Sequence, residues 1–261
     1  MHCHFSNDVK LLASDFDGTL MFDYITPVAK KDIQAIKNWQ AKGNLFGIVS
    51  GRSPRQIFLN LKSDVIKQDF MIAHNGAMIF NKKNQLISEK YIDDDILEKI
   101  RLLVKQHKLQ VVIFYNYNEG ELVYLKKDHK KETGFQHYHN IVDKKFTKVH
   151  KISIEALDLE TLDNFEKDLF QMLGSQVESH RNVGAYTEIT ACNVDKGIAL
   201  EEVINYYTFD KKNGYTFGDS HNDYSMIKNY NGYTLPNGEK EIKDISLGIK
   251  KSIKELIESL I

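Results

Sequence analysis

Lys10-Leu11-Leu12-Ala13-Ser14-Asp15-Phe16-Asp17-Gly18-Thr19 is a short apolar run that ends abruptly in polar residues. A brief apolar run bounded by turn-forming residues reads as a buried strand. The segments after it decide its kind. Thr26-Pro27 opens a predicted helix, with Val28, Ile33, Ile36 and Trp39 at roughly helical spacing, and Gly43 ends it. Leu45-Phe46-Gly47-Ile48-Val49 is a second apolar run and leads into Ser50-Gly51-Arg52 and a helix begun by Pro54. Phe70-Met71-Ile72-Ala73 is a third and leads into His74-Asn75-Gly76-Ala77. Apolar runs alternating with helices predict an α/β fold, with a parallel sheet buried on both faces.

The middle of the chain changes character. From about residue 81 to residue 186 it is rich in Lys, Asp, Tyr and His. Residues 111–115 and 121–125 flank a turn containing Glu119-Gly120 and read as an antiparallel hairpin. Residues 93–107 and 160–173 read as amphipathic helices, and Asp93-Asp94-Asp95 as helix capping. The α/β character then returns with a helix at 197–206, a strand ending in Gly218-Asp219 and another at 232–235. The expected organisation is a Rossmann-like parallel-sheet core, residues 1–80 and 188–261, interrupted by an inserted α+β domain, residues 81–187.

The 261 residues carry 35 Lys+Arg against 36 Asp+Glu, a net charge of −1. That balance argues against a nucleic-acid or membrane-surface binder, which would show a basic excess. Two cysteines, Cys3 and Cys192, make neither a disulfide framework nor a four-cysteine zinc site. No apolar run approaches a membrane span, and no signal-peptide core follows Met1-His2-Cys3-His4. The expectation is a cytoplasmic enzyme or small-molecule binder of undecided oligomeric state.

The polar residues concentrate just after the apolar runs: Asp15 and Asp17, Ser50, then Asp219 and Asp223, with Lys196 at a helix start. In open parallel sheets, ligands bind at the carboxyl ends of the strands. Carboxylates from Asp15, Asp17, Asp219 and Asp223 would form a hard, oxygen-rich pocket that suits Mg2+. A lysine and a hydroxyl in the same cleft suit a phosphate group.

These residues carry a resemblance. Asp15-Phe16-Asp17-Gly18-Thr19-Leu20, Ser50-Gly51-Arg52, Asp195-Lys196-Gly197 and Gly218-Asp219-Ser220-His221-Asn222-Asp223 resemble, in order, the four motifs of the haloacid dehalogenase (HAD) superfamily. The long insertion between the second and third motifs, and Asn75-Gly76-Ala77, resemble its Cof-type phosphatase branch, whose α+β cap lies there. The resemblance implies a Mg2+-dependent phosphatase of small phosphorylated metabolites, with sugar phosphates favoured. Asp15 would be the nucleophile that forms an aspartyl-phosphate. Asp17 would protonate the leaving oxygen and later take a proton from water. Ser50, Gly51, Lys196 and Asn222 would bind the phosphoryl group. Asp15, Asp219, Asp223 and the backbone carbonyl of Asp17 would hold the metal or its water shell. Arg52 and Asn75 flank the cleft as candidate substrate contacts.

The alternatives are a phosphotransferase or phosphosugar mutase using the same intermediate, and a non-catalytic ligand-binding module. Other features take plainer readings. His2-Cys3-His4 lacks a partner cluster, and Lys126-Lys127-Asp128-His129-Lys130-Lys131 is a solvated turn. His137-Tyr138-His139 are surface or hairpin positions, His221 is an exposed histidine, and Cys192 is a structural thiol.

Overall fold

The computed structural model describes residues 8–21, 27–61, 66–107, 109–116, 147–181 and 184–261, and the backbone of 120–124 and 136–138. The chain forms two compact units, Met1–Ser88 with Asp195–Ile261, and Glu89–Val194.

The first unit begins with β1 (Leu11–Asp15), α1 (Lys30–Ala41), β2 (Leu45–Val49), α2 (Pro54–Leu61), β3 (Phe70–Ala73), β4 (Met78–Asn81) and β5 (Leu86–Glu89). The second unit holds α3 (Asp94–Gln106), β6 (Leu109–Tyr115), β7 (Gly120–Tyr124), β8 (Gln136–Tyr138), β9 (Lys151–Ala156), α4 (Leu159–Leu173), β10 (Val177–Arg181) and β11 (Tyr186–Ala191). The chain then returns to the first unit through α5 (Lys196–Tyr206), β12 (Gly214–Gly218), α6 (Tyr224–Asn229), β13 (Asn231–Thr234), α7 (Lys240–Ile245), β14 (Gly248–Ile249) and α8 (Ile253–Leu260).

In the first unit an eight-stranded sheet runs in the order β14-β13-β12-β1-β2-β3-β4-β5. The six strands from β14 to β3 are parallel, and β4 returns antiparallel to β3. Every residue of β1, β2 and β3 is buried, as a parallel strand covered on both faces requires. Alternate side chains feed two separate cores. Leu12, Phe46, Ile48 and Met71 pack with Trp39 of α1, Ile57 of α2 and Leu256 of α8. Leu11, Ala13, Phe70 and Ile72 pack with Leu200 and Val203 of α5, Ile227 of α6 and Ile242 of α7. The result is three layers, helices on both sides of the sheet.

The second unit is a six-stranded sheet of order β10-β11-β9-β6-β7-β8. Its pairs are antiparallel except β7 with β8. The hairpin expected near residue 120 is β6–β7. Helices α3 and α4 close one core, where Leu97, Ile100, Phe165 and Leu169 meet Val112, Ile152 and Ile154.

Three expectations shift. The units divide at 88/89 and 194/195 rather than 80/81 and 187/188. Residues 86–89 form an outer strand of the core sheet, and β11 completes the second sheet. Helix α1 starts three residues after Pro27, because Ala29 is still extended at φ −62° and ψ 138°. Asp93 occupies the N-cap position of α3 without a side-chain cap bond, whereas Asp94 and Asp95 lie in the first turn, where they favour the helix dipole.

Candidate active site

Asp15 ends β1, Ser50 directly follows β2, and Asp219 directly follows β12. Because β1 lies between β12 and β2 and all three run parallel, their carboxyl ends are neighbours. Lys196 is the first residue of α5, whose N-terminus is fixed by Asp195. The Asp195 carboxylate accepts from the amides of Gly197 at 2.7 Å and Ile198 at 3.1 Å. Such a cap satisfies amides that the first turn leaves unpaired.

The Lys196 ammonium is the centre of the site. It is 1% exposed and donates to Asp15 Oδ1 at 2.7 Å, Asp223 Oδ1 at 2.7 Å and Asn222 Oδ1 at 3.2 Å. Burial opposes its charge, but the carboxylates of Asp15 and Asp223 outweigh burial and raise its pKa, so it stays protonated. For Asp15, burial and then the Asp223 charge raise the pKa well above the usual carboxylate range, against the pull of Lys196. The other Asp223 oxygen, Oδ2, accepts from the amides of Asp219 at 2.9 Å and Ser220 at 3.1 Å. Asp223 therefore fastens the loop after β12 and holds Lys196 against Asp15.

Asp219 is oriented by Thr19, whose hydroxyl donates to Asp219 Oδ1 at 2.6 Å. The loop after β1 can approach only because residue 18 is glycine. Gly18 has φ +80°, and a Cβ there would lie 2.6 Å from Asp219 Oδ2. Burial, opposed by the Thr19 hydroxyl and reinforced by Asp223, pushes Asp219 up to about 6.

Among the described residues, Asp15, Asp219 and Asp223 form a cluster with one oxygen each within 4.8 Å of one another. Asp15 Oδ2 is buried with no hydrogen-bond partner. Three hard oxygen donors against a single buried ammonium, one donor atom unsatisfied, suit a hard divalent cation such as Mg2+.

Asp17 departs from this cluster. Its side chain points into a fork from Arg52, with Nε to Oδ2 at 2.7 Å and Nη2 to Oδ1 at 2.6 Å. The expected substrate contact, Arg52, is thus engaged with the second aspartate of the first motif. Asn75 and Asn222 come together, Asn222 Nδ2 lying 3.4 Å from Asn75 Oδ1. His74 and Asn75 adopt the left-handed conformation, at φ 51° and 58°. The buried Ser50 ties these loops: its carbonyl accepts from the Asn75 amide at 3.0 Å, and its hydroxyl accepts from the Arg52 amide at 3.1 Å. Gly51 lies between them.

Thr19 and Asp195 are site residues that motif reading alone does not single out. Their signals are a hydroxyl inside the first motif and an acidic residue before a helix. His221 is exposed, 3.2 Å from Glu241 Oε2. Cys192 is exposed, not a packed structural thiol. His2, Cys3, His4, residues 126–131 and His139 lie outside the described residues, and of His137 and Tyr138 only the backbone is described, in β8. Among the described residues no helix is long and apolar enough to cross a membrane.

Comparison with known proteins fits this geometry. The haloacid dehalogenase-like hydrolase family profile matches residues 12–255. A Buchnera aphidicola (subsp. Schizaphis graminum) protein with a provisional phosphatase name is 28% identical over 226 residues, 84% of this chain and 80% of that protein. The Bacillus subtilis 5-amino-6-(5-phospho-D-ribitylamino)uracil phosphatase YcsE is 25% identical over 96% of each chain. The solved structure of the HAD subclass IIB sugar phosphatase BT4131 superposes with a TM-score of 0.81 at 18% identity, covering 97% of this chain and 98% of that one. A family match over nearly the whole length, on a shared fold, makes this chain a member of the haloacid dehalogenase-like hydrolase family.

Proposed function

We propose that this phosphatase hydrolyses small phosphorylated metabolites in the cytoplasm, sugar phosphates before others, through an aspartyl-phosphate on Asp15. One observation carries the reading. A buried carboxylate, Asp15, has one oxygen fixed by Lys196 at 2.7 Å and the other without a partner. A nucleophile needs this arrangement: one oxygen oriented, the other available.

Asp15 attacks phosphorus, the bond from phosphorus to the ester oxygen breaks, and Asp17 delivers a proton to that oxygen. In the second half, Asp17 takes a proton from water as the water cleaves the acyl phosphate. Lys196, Ser50, the Gly51 amide and Asn222 receive the phosphoryl oxygens, offsetting charge as it shifts between them. Asp15, Asp219 and Asp223, with the Asp17 carbonyl, would hold Mg2+, which when bound reduces the repulsion between an anionic nucleophile and an anionic ester. We assign substrate selection to the inserted unit, residues 89–194. Sugar phosphates are favoured because BT4131 is named a sugar phosphatase, and the named YcsE substrate carries its phosphate on a ribityl chain.

The test is phosphate release from a panel of sugar phosphates, nucleotides and phosphorylated cofactors with Mg2+ and no acceptor. Release favouring sugar phosphates is expected, with acid-stable label left on the protein from radioactive substrate. Asp15→Asn should abolish both while its melting curve stays cooperative. Release that persists in Asp15→Asn overturns the nucleophile. Phosphate that leaves only when a second hydroxyl compound is supplied makes the protein a phosphotransferase.

A further inference from the structure

The least expected contact in the first unit is the fork between Arg52 and Asp17. A bidentate guanidinium–carboxylate pair fixes the plane of the carboxylate as well as its distance. Arg52 is itself held on three sides. Its amide donates to Ser50 Oγ at 3.1 Å, its carbonyl accepts from the His74 amide at 3.0 Å, and its guanidinium carbon lies 5.4 Å from the Phe16 ring centroid. Phe16 is fully buried between the two aspartates of the first motif. The pair is only partly exposed, 14% for Arg52 and 24% for Asp17. The loops after β1, β2 and β3 therefore converge on the orientation of one carboxylate.

We infer that Arg52 is a positioning residue for Asp17 and not a binder of the substrate phosphate. It restricts the Asp17 side chain to one orientation: the Nε bond to Oδ2 holds the group, while Oδ1, released from Nη2, carries the proton that Asp17 gives to the leaving oxygen and regains from water in the second half. This rests on the reading of Asp17 as the general acid. Without the fork, Asp17 samples several rotamers, and a misplacement of about 1 Å costs on the order of 100-fold in rate. The loss falls on esters whose leaving oxygen needs a proton and spares those whose leaving group departs unassisted.

The test compares kcat/KM for an alkyl phosphate, glucose 6-phosphate, with that for p-nitrophenyl phosphate in the parent, Arg52→Gln, Arg52→Lys, Asp17→Asn and the double variant Asp17→Asn/Arg52→Gln. Asp17→Asn should lose about 100-fold or more on the alkyl ester and much less on the nitrophenyl ester. Arg52→Gln should show the same selectivity at roughly 10- to 100-fold, with KM near the parental value. Arg52→Lys, which keeps the charge but not the fork, should recover part of the loss. In the Asp17→Asn background the added Arg52→Gln change should cost little, since a residue acting through Asp17 has nothing left to position.

A loss shared equally by both esters, with KM raised, would make Arg52 a phosphate contact and overturn the inference. So would additive losses in the double variant. Arg52→Lys guards against misfolding of Arg52→Gln: if it matches the parent on both esters, the fork has no positioning role. If Asp17→Asn itself shows no leaving-group selectivity, the acid assignment has failed rather than the Arg52 inference alone.

Discussion

Replacing Asp219 by Asn should make the metal-free protein more stable at neutral pH while destroying its function. Asp219 is partly buried beside Asp223. Burial raises its pKa, the Thr19 hydroxyl at 2.6 Å works against the rise, and Asp223 adds to it, leaving a value of about 6 against an ordinary 3.8. Between about pH 4 and pH 6 the folded protein binds this proton more tightly than the unfolded chain does. Stability therefore falls as pH rises through that window, and the full penalty persists above it. The rise is worth about 3 kcal/mol at 1.36 kcal/mol per pH unit, and solvent screening of a partly exposed side chain reduces it to about 1–2 kcal/mol. Asparagine keeps the shape and an oxygen for Thr19 but carries no charge. In a chelator near neutral pH, Asp219→Asn should melt about 2–8 °C above the parent, and the gap should close toward about pH 4. Added Mg2+ should raise the parent's melting temperature and leave the variant almost unmoved. Thermal melts across this pH range, with chelator and then with Mg2+, provide the measurement. A variant less stable than the parent at neutral pH in chelator, or a gap that ignores pH, would refute the reasoning.

Lys196→Met strands the buried carboxylates of Asp15 and Asp223; a loss of about 3–5 kcal/mol in urea unfolding is expected, together with loss of turnover. Gly18→Ala combines a φ of +80° with a methyl group 2.6 Å from Asp219 Oδ2. It should cost about 1–3 kcal/mol, read from thermal melts, with kcat reduced by more than the melt alone explains. Asp195→Ala removes the cap that accepts from Gly197 and Ile198. About 1 kcal/mol of stability and a several-fold fall in kcat at steady KM should follow, because Lys196 opens the same helix.

The core was legible because its signals are local. Apolar runs at residues 11–13, 45–49 and 70–73 match β1, β2 and β3 closely. Each is buried on both faces, so no alternation confuses the pattern. The boundaries of the insertion were not legible. β5 is four residues long, with Leu86 exposed and the other three only half-buried, so it lacks the continuous apolar run of the central strands. The start of α1 was misplaced because proline marks the first turn of many helices, whereas Pro27 here precedes an extended Ala29. The gathering of Asp15, Asp219 and Asp223 followed from strand ends, and that of Lys196 from its place at a helix start. Their partners did not. Thr19 and Asp219 are 200 residues apart, and Arg52 and Asp17 are 35 apart. Neither pairing leaves a mark in periodicity or spacing, since each depends on which way a loop turns after its strand.

The charge balance of the site explains why those loops matter. A net charge of −1 for the whole chain hides three carboxylates around one buried ammonium at Asp15, Asp219, Asp223 and Lys196. Like charges crowded in a buried site cannot all stay ionised without compensation: burial first, and the neighbouring Asp223 charge after it, displace Asp15 and Asp219 upward. A proton and a divalent ion therefore compete for the same oxygens. Cation affinity should weaken as pH falls through about 6, the value for Asp219. Arg52 stands apart from this competition, since its guanidinium is paired with Asp17. That separation gives the two aspartates of one motif different electrostatic settings only two residues apart. The first is crowded by other carboxylates, and the second is neutralised by a guanidinium fork. The Ser50-Gly51-Arg52 turn supplies the second setting, by placing the Arg52 guanidinium against both Asp17 oxygens.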